Sequence, residues 1–99
     1  MATISLDTYV LDVLMRDLVG HDRSPSAYVV YLFLWSRTQG ARAKSVRVSH
    51  KAIADDTGIS KSAVQGAIRL LNRRKLVRTV HESPTAVPEH FVLRPWIKR

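Results

Sequence analysis

The stretch at residues 49–80, SHKAIADDTGISKSAVQGAIRLLNRRKLVRTV, predicts two helices joined by a very short turn. A serine precedes each helix, where its side-chain oxygen can cap the first backbone N–H groups. Gly58 breaks the first helix, over residues 50–57, and supplies the positive φ that a tight turn demands. The second helix, over residues 61–75, must therefore cross the first sharply. The apolar residues that fix the crossing angle are Ile53, Val64, Ile68 and Leu71.

The outer face of the second helix carries basic and amide side chains, which suit the edges of DNA bases. Arginine and lysine bind guanine edges and phosphates, and glutamine pairs with adenine. Gln65, one turn into the helix, is the best candidate for an adenine contact, and Arg69 suits a guanine or a phosphate. The alternative for Lys61 and Ser62 is that they are ordinary solvent-exposed residues in the first turn of the helix. The four base-reading candidates are Lys61, Ser62, Gln65 and Arg69.

A glycine stands in the middle of the same helix. Gly66 should cost roughly 1 kcal/mol there relative to alanine. Its small size predicts a close approach of the helix backbone, either to DNA or to a neighbouring helix.

Two further groups of residues suit the phosphate backbone of DNA. Backbone N–H groups and the helix dipole favour an anion at a helix N-terminus. The residues at the two N-termini are Ser49, His50, Lys51 and Ser60. Arginines around the second helix and its neighbouring strands are expected to clamp the backbone: Arg47, Arg73, Arg74 and Arg78. The alternative for residues 73–75 is a solvated helix end, since the dipole favours cations there without any ligand.

Outward from this stretch, the chain predicts a mainly helical α+β fold in one domain over residues 1–99. Ser24 caps and Pro25 begins a helix that is apolar nearly all round and therefore central. A hairpin follows the second motif helix, and its connecting loop, HESPTAVPE, is kept irregular by two prolines. Three short strands are predicted in all, at residues 45–48, 76–80 and 90–93.

Another helix is predicted within residues 1–20, over residues 5–19 with Gly20 as its stop, ahead of a core at residues 24–95. Its apolar face is wide, which fits two roles equally. One role is a surface for a second copy of the chain, and the other is a cover over the monomer's own core. The residues of that face are Leu6, Tyr9, Val10, Val13 and Leu14.

The charge of the chain is unevenly distributed. The formal net charge is +8, yet residues 1–40 carry three arginines against four aspartates. Residues 41–99 carry thirteen lysines and arginines against four acidic residues. A localised excess of this size points to a polyanion, and nucleic acid is the usual one.

Other function classes find little support in the sequence. The chain has no cysteine, which excludes disulfides, thiolate catalysis and Cys-based zinc sites. No apolar run reaches the roughly 20 residues of a membrane span, and the first ten residues do not resemble a signal peptide. A cytoplasmic protein without a membrane partner is expected, associated with the nucleoid if it is bacterial.

Catalysis is not expected either. No phosphate loop and no nucleophile–base spacing occurs, so the sequence predicts no enzyme, no metal and no cofactor. The four histidines show no metal-ligand spacing. His81 and His90 are expected to form a surface pair across the hairpin.

The order Ile-Ala, then Thr-Gly-Ile-Ser, then Val, Ile and Leu, then a basic segment before an aliphatic strand, resembles the helix-turn-helix of bacterial-type winged-helix transcriptional regulators. The resemblance covers residues 25–94. It implies a winged helix-turn-helix with an extra N-terminal helix and a C-terminal β-hairpin wing. The second helix would then enter the major groove of double-stranded DNA, and the wing would touch the backbone. Lys75 stands where such proteins usually carry a glycine.

The function implied by the resemblance is sequence-specific DNA binding in transcription regulation, commonly as a dimer on paired half-sites. The alternative is a replication-initiation or partner-binding module that recruits other proteins and exposes an apolar patch. The wing is expected to contribute little, because its tip at residues 82–85 offers no cation to the minor groove. Arg78 and Arg94, near the base of the hairpin, could still hold phosphates.

Overall fold

The computed structural model describes residues 1–97, and its four helices and three strands are numbered in chain order. Helix α1 consists of two segments, Val10–Leu14 and Arg16–His21, and it is followed by α2 (Pro25–Arg37), β1 (Val46–Arg47), α3 (His50–Thr57), α4 (Lys61–Arg73), β2 (Val77–Val80) and β3 (Glu89–Val92). The predicted α+β class with a helical majority is confirmed.

Helix α1 is wound more widely than an ordinary α-helix. The N–H of Met15 bonds the carbonyl of Val10, five residues back, which is the π-helical pattern. The two segments end at His21, so the prediction that Gly20 stops the helix was wrong. The break comes later, at Arg23, whose φ is 52°.

The predicted start of α1 was also too early. The backbone carbonyl of Ser5 accepts a hydrogen bond of 2.8 Å from Trp35 Nε1. Asp7 Oδ2 accepts from Arg94 Nη1 at 3.2 Å and from Trp96 Nε1 at 3.0 Å. These bonds hold the first residues against α2 and the C-terminal segment, so they are not part of the helix.

Val10, Leu14 and Leu18 form the buried face of α1. Val10 and Leu14 were two of the residues expected on a dimer surface. They are covered by the monomer itself, so the core-covering alternative is correct for this face. Tyr28 reinforces the contact by donating its hydroxyl to the Val10 carbonyl at 2.9 Å.

Helix α2 begins as predicted. Ser24 accepts a hydrogen bond from Ala27 N at 3.2 Å, and Pro25 is the first helical residue. The helix is central, but it is not buried all round, because Val29 is exposed. Its buried residues are Ala27, Tyr28, Val30, Tyr31, Leu34 and Trp35.

The α3–turn–α4 unit follows the prediction closely. Ser49 accepts from Ala52 N, and Ser60 accepts from Ala63 N. Gly58 ends α3 with a φ of 81°. The predicted angle-fixing residues Ile53, Val64, Ile68 and Leu71 are all in the core.

Helix α4 ends at Arg73, two residues before the predicted end. Lys75 has a φ of 57°, which is the left-handed conformation that glycine normally supplies at a helix end. The chain then turns into β2, with Leu76 N bonded to the Leu71 carbonyl at 2.9 Å. A non-glycine residue therefore serves as the helix stop.

The three strands form one antiparallel sheet in the order β1-β3-β2. In the hairpin, Val77 pairs with Val92 and Thr79 pairs with His90. Val77, His90 and Val92 are buried, whereas Arg78 lies on the opposite, outer face of the sheet with Phe91. The sheet thus turns one face to the helices, and this face brings the hairpin beside α4.

The C-terminal segment returns to the helices. Tyr31 donates its hydroxyl to the Leu93 carbonyl at 3.0 Å, and the Trp96 ring stacks on Tyr9 with centroids 4.5 Å apart. Ile97, in contrast, is exposed. The basic tail at residues 98–99 lies outside the described residues. Within residues 1–97, no helix has the length and apolar character needed to cross a membrane.

Candidate nucleic-acid interface

A cleft of about 780 Å³ lies between α4 and the β2–β3 hairpin. A second hollow of about 370 Å³ adjoins it beside the hairpin loop and shares His50, Gln65 and His81 with it. We refer to the two together as the α4 cleft. Among residues 1–97, no carboxylate lines either part. The basic side chains that line it are Lys51, Lys61, Arg69 and Arg73.

The predicted base-reading residues are brought together on the outward face of α4. Lys61, Ser62 and Arg69 are exposed, and Gln65 is half-buried at the cleft. The core residues of α4 occupy the opposite side of the helix. This arrangement leaves an uninterrupted polar strip along more than three turns.

The cations of this strip have no acidic partner in the described chain. Across residues 1–97, no ion pair involves Lys61, Arg69 or Arg73. Cations on a helix surface are commonly paired with a carboxylate three or four residues away. Here α4 contains no acidic residue, so its positive charge is available to an anion.

Three of the four predicted N-terminal contacts lie at one end of the same cleft, and Ser60 does not line it. Ser49, His50 and Lys51 at the start of α3 line the second hollow together with Lys61. The hydroxyls of Ser49 and Ser60 already cap their helices. What these positions offer an anion is therefore the remaining backbone N–H groups of the first turns. Lys51 also bonds Asp55 at 3.3 Å, a fully exposed pair worth little.

Three of the predicted backbone clamps have other partners. Arg74 Nη1 bonds Asp22 Oδ2 at 2.7 Å, and Arg74 Nη2 lies 3.7 Å from Asp17 Oδ2. Arg74 therefore ties the end of α4 to α1 rather than joining the cleft. The sequence could not show this, because the partners are 52 and 57 residues away along the chain.

Arg47 and Arg78 are likewise engaged on the sheet. Arg47 Nη2 lies 2.9 Å from Glu82 and 3.4 Å from Glu89. The guanidinium of Arg78 lies 4.2 Å from the centroid of the Phe91 ring, on the outer face of the hairpin. Neither lines the α4 cleft. Of the four arginines expected to clamp phosphate, only Arg73 lines it.

Histidines form an unexpected group beneath the cleft. The prediction of a surface pair of His81 and His90 was wrong, because His90 is completely buried and pairs with Thr79. The ring of His50 instead stacks near that of His90, with centroids 6.4 Å apart. Burial lowers the pKa of His90. Burial also lowers the pKa of His50, and so, to a smaller degree, do His81, Lys61 and Arg69.

Gly66 lies on the outward side of α4. A Cβ built on it would meet only Arg69 Nη2, at 4.0 Å, within the described residues. No neighbouring helix approaches it, so that alternative was wrong. A close approach to DNA remains the prediction for this glycine.

Comparison with protein-family models, curated proteins and solved structures gives no match to this chain. The residues themselves therefore have to carry the functional argument. They offer an array of guanidinium, ammonium and amide donors facing solvent and a cleft. Such an array binds phosphate oxygens and the acceptor-rich edges of bases.

Proposed function

We propose that this protein binds double-stranded DNA as a winged helix-turn-helix, with α4 as the recognition helix in the major groove. The observation that carries the proposal is the strip of Lys61, Gln65, Arg69 and Arg73, whose three cations have no acidic partner in the described chain. An α-helix fits the major groove, and these side chains match its donor and acceptor pattern. The α3–turn–α4 unit followed by a hairpin supports the winged-helix assignment.

The β2–β3 hairpin acts as the wing in this proposal, and it contributes little affinity. Glu82 in its loop is already paired with Arg47, and the side chain of Arg78 lies over Phe91 on the outer face. Exchanging Arg78 for alanine is therefore expected to change DNA affinity less than twofold. A loss of tenfold or more would place the wing in contact with the DNA backbone.

A selection experiment on random duplexes tests the central part of the proposal. The wild-type protein should enrich a preferred sequence that contains adenine at one position. In Gln65→Ala that single preference should relax, at a cost of about 1–3 kcal/mol against the wild-type site. Gln39→Ala, which changes the glutamine beyond the C-terminus of α2, is the matched control and should leave the preference intact. Absence of any duplex binding at low salt would refute the proposal.

The protein's role is proposed to be transcription regulation by a dimer, with α1 as the contact between two copies. Leu11, Met15 and Val19 recur every fourth residue and are all exposed, by 48%, 42% and 38%. They replace Val10 and Leu14 as the candidate dimer surface. Asp12 and Arg16 border this stripe and are also exposed. An antiparallel second copy centred on Met15 would bring Asp12 of each chain within one helical turn of Arg16 of the other.

The same stripe is the feature that favours the alternative, a module that recruits another protein in replication or transcription. Sedimentation at micromolar concentration separates the two. A dimer that becomes monomeric in Met15→Glu, but not in Val87→Glu, supports the self-contact. Val87 is a suitable control because it is similarly exposed but lies in the hairpin loop. A wild-type monomer, with and without DNA, would remove the dimer from the proposal.

A further inference from the structure

A continuous chain of hydrogen bonds crosses the interior from α4 to the hairpin and on to the start of α3. Asn72, in the last turn of α4, donates from Nδ2 to the Ile68 carbonyl at 2.8 Å and to Thr79 Oγ1 at 3.0 Å. Thr79 N donates back to Asn72 Oδ1 at 3.0 Å. Thr79 Oγ1 lies 2.9 Å from His90 Nδ1, and His90 Nε2 lies 3.2 Å from the Val48 carbonyl.

The donors and acceptors of this hydrogen-bond chain match a neutral His90 with its proton on Nε2. A carbonyl oxygen only accepts, so His90 Nε2 must carry the proton that binds Val48. In a neutral imidazole Nδ1 is then bare and must accept, so the Thr79 hydroxyl donates to it. That hydroxyl is at the same time the acceptor for Asn72. Every polar group of the three side chains is thereby satisfied only while His90 is neutral.

This chain of hydrogen bonds joins the elements whose residues line the α4 cleft: α4, the hairpin and the start of α3. Asn72 and Thr79 are themselves cleft residues. Val48 directly precedes Ser49, the cap of α3, whose first turn supplies the other wall of the cleft. The width of the cleft and the angle between α4 and the hairpin therefore depend on these bonds.

Burial disfavours a proton on His90, and only the hydrogen bond to the Val48 carbonyl acts in the opposite sense. The titratable groups that act on it are His50 of α3 and His81 at the end of β2, and both disfavour a positive charge. Lys61 and Arg69 of α4 act on His50 in the same sense. The adjacent carboxylate, Glu89, is engaged with Ser45 and Arg47. Protonated Nδ1 would also displace the Thr79 hydroxyl hydrogen from its acceptor.

We propose that neutral His90 is a positioning residue for DNA binding, which holds the hairpin and the start of α3 against α4 through Thr79 and Asn72 and releases them when it is protonated. His90 touches no DNA itself. The proposal rests on the proposed DNA-binding function and adds its control by acidity. The protein is expected to lose affinity for DNA on mild acidification by a route that does not involve direct phosphate contacts.

The functional test compares dissociation constants at pH 7.5 and pH 5.5 for the wild-type protein and for His90→Gln, which cannot titrate. Any change in direct phosphate contacts between the two pH values is common to both proteins, so it cancels in the quotient of the two pH ratios. The wild-type ratio, Kd at pH 5.5 over Kd at pH 7.5, is expected to exceed the variant's by less than about tenfold, the limit that a histidine with the usual pKa of 6.5 would reach at pH 5.5. A quotient near one, with binding at both pH values, overturns the inference alone.

A second pair of variants keeps the test valid if His90→Gln does not fold. Thr79→Val removes the central hydroxyl at nearly constant volume, and Thr79→Ser keeps it. The valine variant should bind DNA about fivefold more weakly at pH 7.5, as expected for one lost hydrogen bond of about 1 kcal/mol, whereas the serine variant should match the wild type. Equal affinities of the two variants would overturn the inference.

A spectroscopic measurement reads the hydrogen-bond chain without DNA. The imidazole ¹⁵N shifts of His90 at pH 7.5 should show a protonated Nε2 and a bare Nδ1, and Thr79→Val should perturb Nδ1 more than Nε2. The opposite tautomer, or a doubly protonated ring at this pH, would overturn the inference. If the expected tautomer is found but no DNA binds at either pH, the proposed function fails and takes the DNA part of the inference with it.

Discussion

Arg73 and Arg74 are neighbours in sequence, yet they belong to two sides of the molecule with opposite uses of positive charge. Arg73 lines the α4 cleft and has no acidic partner within residues 1–97. Arg74 turns the other way, where Asp22 and Asp17 hold it against α1. An arginine side chain is thus available to a ligand on the α4 side, whereas on the α1 side an arginine is held within the fold by ion pairs.

The comparison explains the uneven charge of the sequence. On the α1 side, three of the four aspartates of the first quarter of the chain pair with arginines that follow much later: Asp7 with Arg94, and Asp17 and Asp22 with Arg74. On the α4 side, no acidic residue enters the cleft lining in the described chain. Ion pairing thus neutralises Arg74 and Arg94 on the α1 side, whereas Lys61, Arg69 and Arg73 at the cleft have no acidic partner within residues 1–97.

The largest expected effect on stability comes from removing the ion pairs of Arg74 on the α1 side. Arg74→Ala removes the partner of Asp22 Oδ2, in a side chain that is only 12% exposed and otherwise bonds only the exposed His21 among residues 1–97, and should lower the free energy of unfolding by about 2 kcal/mol. For a chain of this length that corresponds to a fall in Tm of roughly 8–16 °C. Arg73→Ala is the matched control and should change stability by less than about 0.5 kcal/mol. Equal losses in the two variants would contradict the division into two sides.

Acidification should weaken the fold on the α4 side. His90 has a lowered pKa in the folded state because it is buried. The unfolded chain binds the proton near the usual pKa of 6.5, and the folded chain binds it only at lower pH. Stability is therefore full above about pH 7 and falls as the pH drops below 6.5 toward the folded-state pKa, by up to about 1.4 kcal/mol per pH unit.

Urea denaturation at pH 7.5, 6.0 and 5.0 measures this loss. His50 contributes in the same direction, since burial lowers its pKa too. In His90→Gln the decline should be smaller than in the wild type. A free energy of unfolding that is constant from pH 7.5 to 5.0 would show that the pKa of His90 is not lowered in the folded state.

Replacing Gly66 should change the stability of the fold and the affinity for DNA in opposite directions. Gly66→Ala meets no obstacle but the Arg69 guanidinium, so it should stabilise the fold by about 1 kcal/mol through helix propensity. If the backbone of α4 approaches DNA at this point, affinity should fall about tenfold, which corresponds to ~1.4 kcal/mol. Gly20→Ala, in α1, is the control and should not alter affinity. Unchanged DNA affinity in Gly66→Ala would remove the close approach from the account.

The smallest effect on stability is expected from changing Lys75, which lies just beyond the C-terminal end of α4. Its left-handed backbone, with a φ of 57°, is strained for a residue with a Cβ. Lys75→Gly should raise the free energy of unfolding by about 0.5 kcal/mol, because glycine's greater freedom in the unfolded chain offsets part of the relief. Thermal denaturation should show a Tm higher by a few degrees. A lower Tm would indicate that the lysine side chain makes a stabilising contact.

Local signals explain which parts of the fold could be predicted from sequence. Ser49, Gly58 and Ser60 act on residues within four positions, so the α3–turn–α4 unit was predicted nearly to the residue. The predicted start of helix α1 was too early. Ser5 and Asp7 are held by residues far along the chain: Trp35, Arg94 and Trp96. The end of α4 was misplaced because a lysine adopts the conformation expected of glycine.

The candidate site divides in the same way. The outward face of α4 follows from helical periodicity, which placed Lys61, Gln65 and Arg69 together. The partners of Arg47 and Arg74 could not be predicted, because they depend on the packing of distant elements. The bonds of Asn72, Thr79 and His90 were missed because strand register decides which residue faces His90, and the sequence prediction placed His81 there instead of Thr79.

The dependence of DNA affinity on salt tests the central claim most directly. Dissociation constants for one duplex should be measured between 50 and 200 mM salt at 10 °C, where Arg74→Ala is still folded. The wild-type affinity should fall steeply with salt, and Arg73→Ala should reduce the logarithmic slope by about 0.9, the value for one lost phosphate contact on duplex DNA. Arg74→Ala should keep the wild-type slope. Equal slopes in Arg73→Ala and the wild type, or a reduced slope in Arg74→Ala, would contradict the account.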